Sequence, residues 1–245
     1  WSSDVCSSDL CFLMDVAKGL TDYEMQMNND MRTNFVRKVL ATVCMQLILT
    51  TGIVWGICSI SALFDLFMQF YLPIMVVSVV GSFAIACASS CIKSHPTDFI
   101  MITLFTIFES MLIASCCVFV SPQILLAAFG TTALITACLT VYAFVTKTDF
   151  TGCGPYLCCM VFALIIIGLL SAFKLFPPNL YAYIGIAVFS LYLVYDVQCC
   201  VGSKDGKFSH EYGVDQYVVA ALNIYLDILN LFLYILQLFA SSDRN

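Results

Sequence analysis

YVVAALNIYLDILNLFLYILQLF, residues Tyr217 to Phe239, is long and apolar enough to cross a bilayer, yet polar residues return along it at helical spacing. About 20 residues at roughly 1.5 Å each cover a hydrocarbon core of ~30 Å. On a helix of 3.6 residues per turn, Gln216, Asn223, Asp227, Asn230 and Tyr234 all point within about 60° of one direction. Lipid cannot satisfy that stripe, so it must look into a bundle. A re-entrant hairpin is the alternative reading of so polar a segment.

The rest of the chain supplies the bundle. Apolar runs at Phe35 to Ser61, Leu72 to Ile92, Phe99 to Val120, Ile124 to Thr146, Pro155 to Phe173 and Leu180 to Val201 precede a last one at Val214 to Phe239. The breaks carry turn formers: Ser94-His95-Pro96, Ser121-Pro122, Asp149 to Gly154, Pro177-Pro178 and Gly202 to Gly213. The expected fold is an all-α membrane protein, a bundle of seven transmembrane helices. Composition agrees, since 61% of the 245 residues are hydrophobic and 11% charged, against about a quarter charged in a soluble domain.

Residues 1–10, WSSDVCSSDL, resemble the translation of a common sequencing adapter and are set apart from the fold. The natural start is then expected to be missing, with Met14 a candidate for it. Residues 11–34 read as a cytosolic N-terminal segment without the pattern of a cleaved signal peptide, 35–239 as the transmembrane domain and 240–245 as a C-terminal tail. With seven spans, Lys18, Arg32, Arg37, Lys38, Lys93, Lys147, Lys204 and Lys207 fall on one side, and Lys174 and Arg244 on the other. The positive-inside rule places the N-terminus in the cytosol.

The formal charge of −6 says little about partners, because the charges lie mostly in connectors. No basic patch interleaved with aromatics stands free of the spans, so no nucleic-acid partner is expected. Most of the 14 cysteines sit inside apolar runs, including Cys116-Cys117, Cys158-Cys159 and Cys199-Cys200, and read as small buried hydrophobes. Lipidation of Cys199 or Cys200 near a helix end is the sharper alternative.

Three acids lie within apolar runs: Glu109, Asp196 and Asp227. An aspartate at mid-span costs roughly 2.5–3.5 kcal/mol on insertion scales, so each must face the interior or a wet cavity. Glu109, beside Ser110 and one turn from Thr106, reads first as an internally bonded acid and second as a pore-lining one. Asp196 lies within two turns of the end of its span and follows Tyr192 and Tyr195, whose hydroxyls could donate to it. A short connector joins its helix to that of Asp227, so the two acids can meet at similar depth. Carboxylates in contact at low dielectric cannot both ionise cheaply, so the pair would share a proton and titrate as a unit. Doubly ionised, it would repel itself or attract a hard cation such as calcium. Buried hydrogen bonds with no ion traffic are the plain alternative.

FTG at Phe150 to Gly152 after TKTD, FSLYLVYDVQ at Phe189 to Gln198 and YVVAALNIYLDILNLFLYILQLF at Tyr217 to Phe239 together resemble the transmembrane Bax inhibitor motif family, most closely its lifeguard branch. His95-Pro96, LFTIFES at Leu104 to Ser110 and RTNFVRKV at Arg32 to Val39 fit the same branch, and the resemblance covers nearly all of residues 32–239. It implies a seven-helix bundle with a central last helix in the endoplasmic reticulum, the Golgi or another membrane such as the plasma membrane. The function implied is a calcium leak toward the cytosol and protection against cell death. The family's paired aspartates map onto Asp196 and Asp227, which would sense pH, gate the leak and hold calcium transiently. The basic residue that latches the pair in a bacterial relative has Lys93 as its nearest match here. Asn223 and Asn230 join Glu109 as candidate pore-lining groups.

Other classes fit less well. An intramembrane aspartyl protease needs a GxGD context around Asp227 and a PAL element, and a rhomboid-like protease needs a GxS nucleophile in a span; the chain has none of these. No enzyme and no cofactor are expected, with calcium the permeant ion. The partners expected are the lipid bilayer, calcium ions and regulators of cell death. A non-conducting scaffold acting through such regulators, or a proton-coupled transporter, is the competing reading.

Overall fold

Proline sets the start of several helices, as the breaks in the sequence predict, because its fixed φ suits the first turn and its missing N–H is not needed there. In the computed structural model the helices are α1 (Ser3–Ser59), α2 (Ser61–Gln69), α3 (Tyr71–Cys91), α4 (Thr97–Cys117), α5 (Pro122–Val145), α6 (Gly154–Ala172), α7 (Pro178–Val201) and α8 (Tyr217–Ser242). A single 3₁₀ turn, Thr151–Cys153, precedes α6. The structure describes residues 3–91, 97–202, 212–213 and 216–242, with side chains described for 30–87, 99–202, 212–213 and 216–242.

Among the described residues six helical stretches are long and apolar enough to cross a membrane, and the α2–α3 pair, counted as one broken span, brings the number to seven. The break was not expected. The two helices meet at an angle of 79°, where the sequence suggested only the start of a second span at Leu72. Pro73 accounts for it: without an N–H it cannot bond to the Gln69 carbonyl, and its ring crowds that turn. The last segment is not a hairpin: α8 is one unbroken helix of 26 residues, long enough to cross. The expected limits at Ile92 and Val214 lie outside the described residues.

Helix α8 occupies the centre, packed against α7, α5, α1 and α4. Of its apolar stretch 67% is buried, against 50% for α7 and 11% for α5 and for α6, which therefore form the lipid-facing rim. A buried polar layer fixes α8 against α1 and α4. The Tyr225 hydroxyl lies 2.7 Å from Thr50 Oγ1, which donates to the Gln46 carbonyl at 2.9 Å. Ser110 Oγ on α4 reaches Thr50 Oγ1 at 3.1 Å, and Gln46 Nε2 donates to Thr106 Oγ1 at 3.1 Å. Interhelical bonds of this kind contribute on average about 0.6 kcal/mol each. They fix which faces meet more than they add to stability.

On the other side, α7 and α8 approach closely at Gly185, where a Cβ would strike the Tyr234 ring. Small residues at such crossings let helix backbones come together. Gly52 on α1, by contrast, has no atom within 4 Å of its would-be Cβ. Gly185→Ala is expected to destabilise the bundle by about 1–3 kcal/mol through overpacking, while Gly52→Ala is neutral or slightly stabilising. Thermal unfolding of both variants in detergent checks this, and equal midpoints would remove the close-approach argument.

Candidate functional site

The last turns of α7 and the first turns of α8 bring the two aspartates together. Asp196 is 4% and Asp227 5% exposed, and their carboxyl groups are in hydrogen-bonding contact. Two carboxylates cannot bond to each other without a proton between them, so such a contact requires a proton on at least one of the two acids. Tyr212, from the connector between α7 and α8, donates its hydroxyl proton to Asp196 Oδ1 at 2.6 Å. Asn223 Nδ2 donates to the Tyr212 oxygen at 2.7 Å. Among the described residues no donor is directed at Asp227 Oδ2, which is buried. Burial, and then the charge of Asp196, hold the Tyr212 hydroxyl well above the usual phenol range, so it stays a donor at any ordinary pH.

The donor to Asp196 differs from the expectation. Tyr195 hydrogen-bonds the Cys199 thiol and lies against Gly154, while Tyr192 stacks on Phe189. Neither occupies the place that Tyr212 takes.

Tyr212 is itself held. The Arg32 guanidinium, from α1, donates to the carbonyls of Cys199 at 2.6 Å, Val201 at 3.2 Å and Tyr212 at 2.6 Å. The backbone N–H of Tyr212 donates to the Cys199 carbonyl at 3.0 Å. The carbonyls at a helix C-terminus lack intrahelical partners and carry partial negative charge, so a cation there is well placed. Helix α7 ends at Gly202, whose φ of 67° favours glycine, and a Cβ there would meet the guanidinium at 2.7 Å.

Gln198, fully buried, ties the other side of α7 to the α5–α6 connector. Its Oε1 accepts from the Phe150 N–H at 2.9 Å and its Nε2 donates to the Thr148 carbonyl at 2.9 Å. Asp149 shapes that connector by accepting from the Thr151 N–H and hydroxyl.

Of the other candidates, Asn223 belongs to the site through Tyr212. Asn230 bonds back to the Leu226 carbonyl of its own helix at 2.8 Å. It also lines a cavity of about 550 Å³, with Cys116, Tyr181, Tyr234 and Gln237, toward the end of the bundle opposite Tyr212. Asp227 lies one helical turn from Asn230. Glu109 is not brought to the pair: it lies beside Ser82 of α3 and within electrostatic range of Tyr225. Lys93 lies outside the described residues. Cys199 and Cys200 are buried, which removes the reading of lipid-modified cysteines.

Sequence reasoning did not single out Tyr212, Arg32 or Gln198. Arg32 entered as one topology charge among eight and as the first residue of RTNFVRKV, with no structural role assigned, although a cation at the start of one span and a glycine at the end of another were visible. Gln198 in VYDVQ carried a signal too, a polar side chain one half-turn from a buried acid.

Among the described residues no group of three or more His, Cys, Asp or Glu side chains is placed to hold a metal ion. Two carboxylates, a phenol and an amide leave most of the 6–8 oxygen ligands of calcium to water. Such a set suits an ion in passage better than a resident one.

The family described as Inhibitor of apoptosis-promoting Bax1 matches residues 32–244. The chain is similar to Protein lifeguard 3 of Homo sapiens, 29% identical over 223 residues, covering 87% of this chain and 70% of that protein. It is 31% identical over 220 residues to the Golgi anti-apoptotic protein of Vaccinia virus (strain Lister), covering 87% of each. Protein lifeguard 3 of Mus musculus is 27% identical over 222 residues.

Arg32→Gln removes the planar fork that serves carbonyls from two segments at once. Hydrogen bonds from a charged donor are worth about 1.5–3 kcal/mol, so a loss of that order is expected in detergent unfolding. Faster amide exchange at Tyr212 should accompany it; an unchanged midpoint with unchanged exchange would show that Arg32 holds nothing.

Proposed function

Because the chain belongs to the Bax inhibitor family of multi-span helical membrane proteins, we propose that it is a pH-sensitive calcium leak of an intracellular membrane that restrains cell death by adjusting calcium stores. The observation that carries this reading is the arrangement along α7 and α8: an open cavity, then Asn230, then one turn further the buried pair Asp196 and Asp227. With the proton shared, the acids hold the two helices together. Loss of that proton places two negative charges in contact in a low-dielectric site, which drives the helices apart and creates an oxygen-rich point for a hard cation.

The names of the relatives support the cell-death part, and the Golgi is the compartment that one of them suggests. The excess of Lys and Arg on one side supports a cytosolic N-terminus, which would put Tyr212 at the cytosolic end and the cavity on the lumenal side. Calcium would then meet the cavity first and the acid pair last. Asp196 and Asp227 are the pH-sensing gate, Asn230 lines the approach, and Glu109 stands apart from this route.

The test is calcium entry into liposomes carrying the purified protein, followed with an entrapped dye as pH is varied. Wild-type flux is expected to rise as pH rises and the pair loses its proton. The Asp196→Asn, Asp227→Asn double variant is expected to have a flat response. If the wild type passes no more calcium than empty liposomes, the leak reading fails and a scaffold acting through protein partners replaces it.

A further inference from the structure

The two aspartates are not equivalent. We propose that Tyr212 is a positioning residue that assigns the shared proton: its hydroxyl, oriented by Asn223, makes Asp196 the carboxylate and leaves Asp227 the carboxylic acid.

A phenol has one proton to give. Asn223 Nδ2 is a donor, so at 2.7 Å the Tyr212 oxygen accepts from it. The proton of Tyr212 is then free for Asp196 Oδ1 at 2.6 Å. A donated hydrogen bond stabilises the ionised form of its acceptor. Asp227 has no such help from the described residues, since its Oδ2 is buried with none of them donating to it. A carboxylate left that way would carry an unmet desolvation cost, whereas a proton on Asp227, donated to Asp196, satisfies both groups.

The reverse assignment requires the Asn223 amide to turn and take the proton of Tyr212. Asp196 would then be the acid, and Asp227 an ionised group with a buried oxygen lacking any donor. Only the first arrangement leaves no charged oxygen of the pair unserved.

Among the described residues, no Lys, Arg, His or third carboxyl acts on the pair. The described groups within electrostatic range of the pair are Tyr192 and Tyr195 of α7, Cys199 and Cys200 at its end, and Tyr212. Arg32 of α1 faces the end of α7 and is directed at backbone carbonyls, and Lys38 sits over the Tyr217 ring. Helix α5 carries no Asp, Glu, Lys, Arg or His, α6 contributes Cys158 beside Tyr192, and Glu109 of α4 bears on Tyr225. A neutral phenol therefore does at Asp196 what a basic residue would do in a charged latch.

Infrared difference spectroscopy of the whole protein in liposomes tests the assignment without any calcium flux. At neutral pH the carbonyl band of a protonated carboxyl is expected in the wild type and in Asp196→Asn, and is expected to vanish in Asp227→Asn. Glu109 is common to all the proteins and cancels in the differences. Adding Tyr212→Phe to Asp227→Asn should bring the band back, because Asp196 without its donor keeps a proton. A band that survives Asp227→Asn and vanishes in Asp196→Asn overturns the assignment, and so does a double variant that stays without the band.

A second arm rests on the leak reading. Removing a donor to the carboxylate makes proton loss harder, so Tyr212→Phe should move the half-maximal pH of calcium flux upward by about one unit, roughly tenfold in proton concentration. A half-maximal pH that stays in place counts against Tyr212. The expected infrared pattern with no flux from any of the proteins removes the leak reading and leaves the proton assignment standing.

Discussion

At bilayer depth there is no water to satisfy a polar atom, so every donor and acceptor along a span must find its partner in protein. That constraint places α8. Its stripe of Asn223, Asp227 and Tyr234 would be untenable against lipid, and the opposite face, with Tyr225, is no better suited to it. Both faces are covered: Tyr225 by the polar layer of α1 and α4, and Asp227 and Tyr234 by α7. A helix with polar work on two sides can only sit in the middle.

The same constraint organises the end of α7. Its last carbonyls would be orphans inside the bundle, and Arg32 and the Tyr212 N–H take up the Cys199 oxygen between them. The residue that caps the helix thereby brings its own side chain to Asp196. Helix termination, the seating of the connector and the acid pair's surroundings are consequences of one small set of bonds. Gln198 repeats the arrangement on the facing side, where it holds the Thr148–Phe150 backbone.

The two ends of the α7–α8 pair differ accordingly. Hydrogen bonds close the Tyr212 end, while toward the other end, where the Tyr181 and Tyr234 hydroxyls still join the two helices, a cavity of about 550 Å³ opens beside them, lined also by Cys116 of α4. On the proposed reading, loss of the pair's proton changes the packing of both helices. Their crossing at Gly185 and Tyr234 lies on the cavity side of the pair, where tight packing can serve as a pivot.

The sequence by itself determined the membrane class, the number of long apolar segments and the inward face of the last helix, and it made a meeting of Asp196 with Asp227 possible. Each follows from a local property, either hydropathy over a span or the angle between residues on one helix, together with the high cost of a lone buried acid. The break between α2 and α3 was not read from the sequence, although Pro73 just after it was visible there. Tertiary structure alone decided what serves Asp196, which carbonyls Arg32 holds and that Glu109 stands apart. Those pairings join residues 16 to 180 positions distant in the chain, and hydrogen-bond partners at such range follow from how helices rotate against one another. Composition and periodicity carry no record of that rotation.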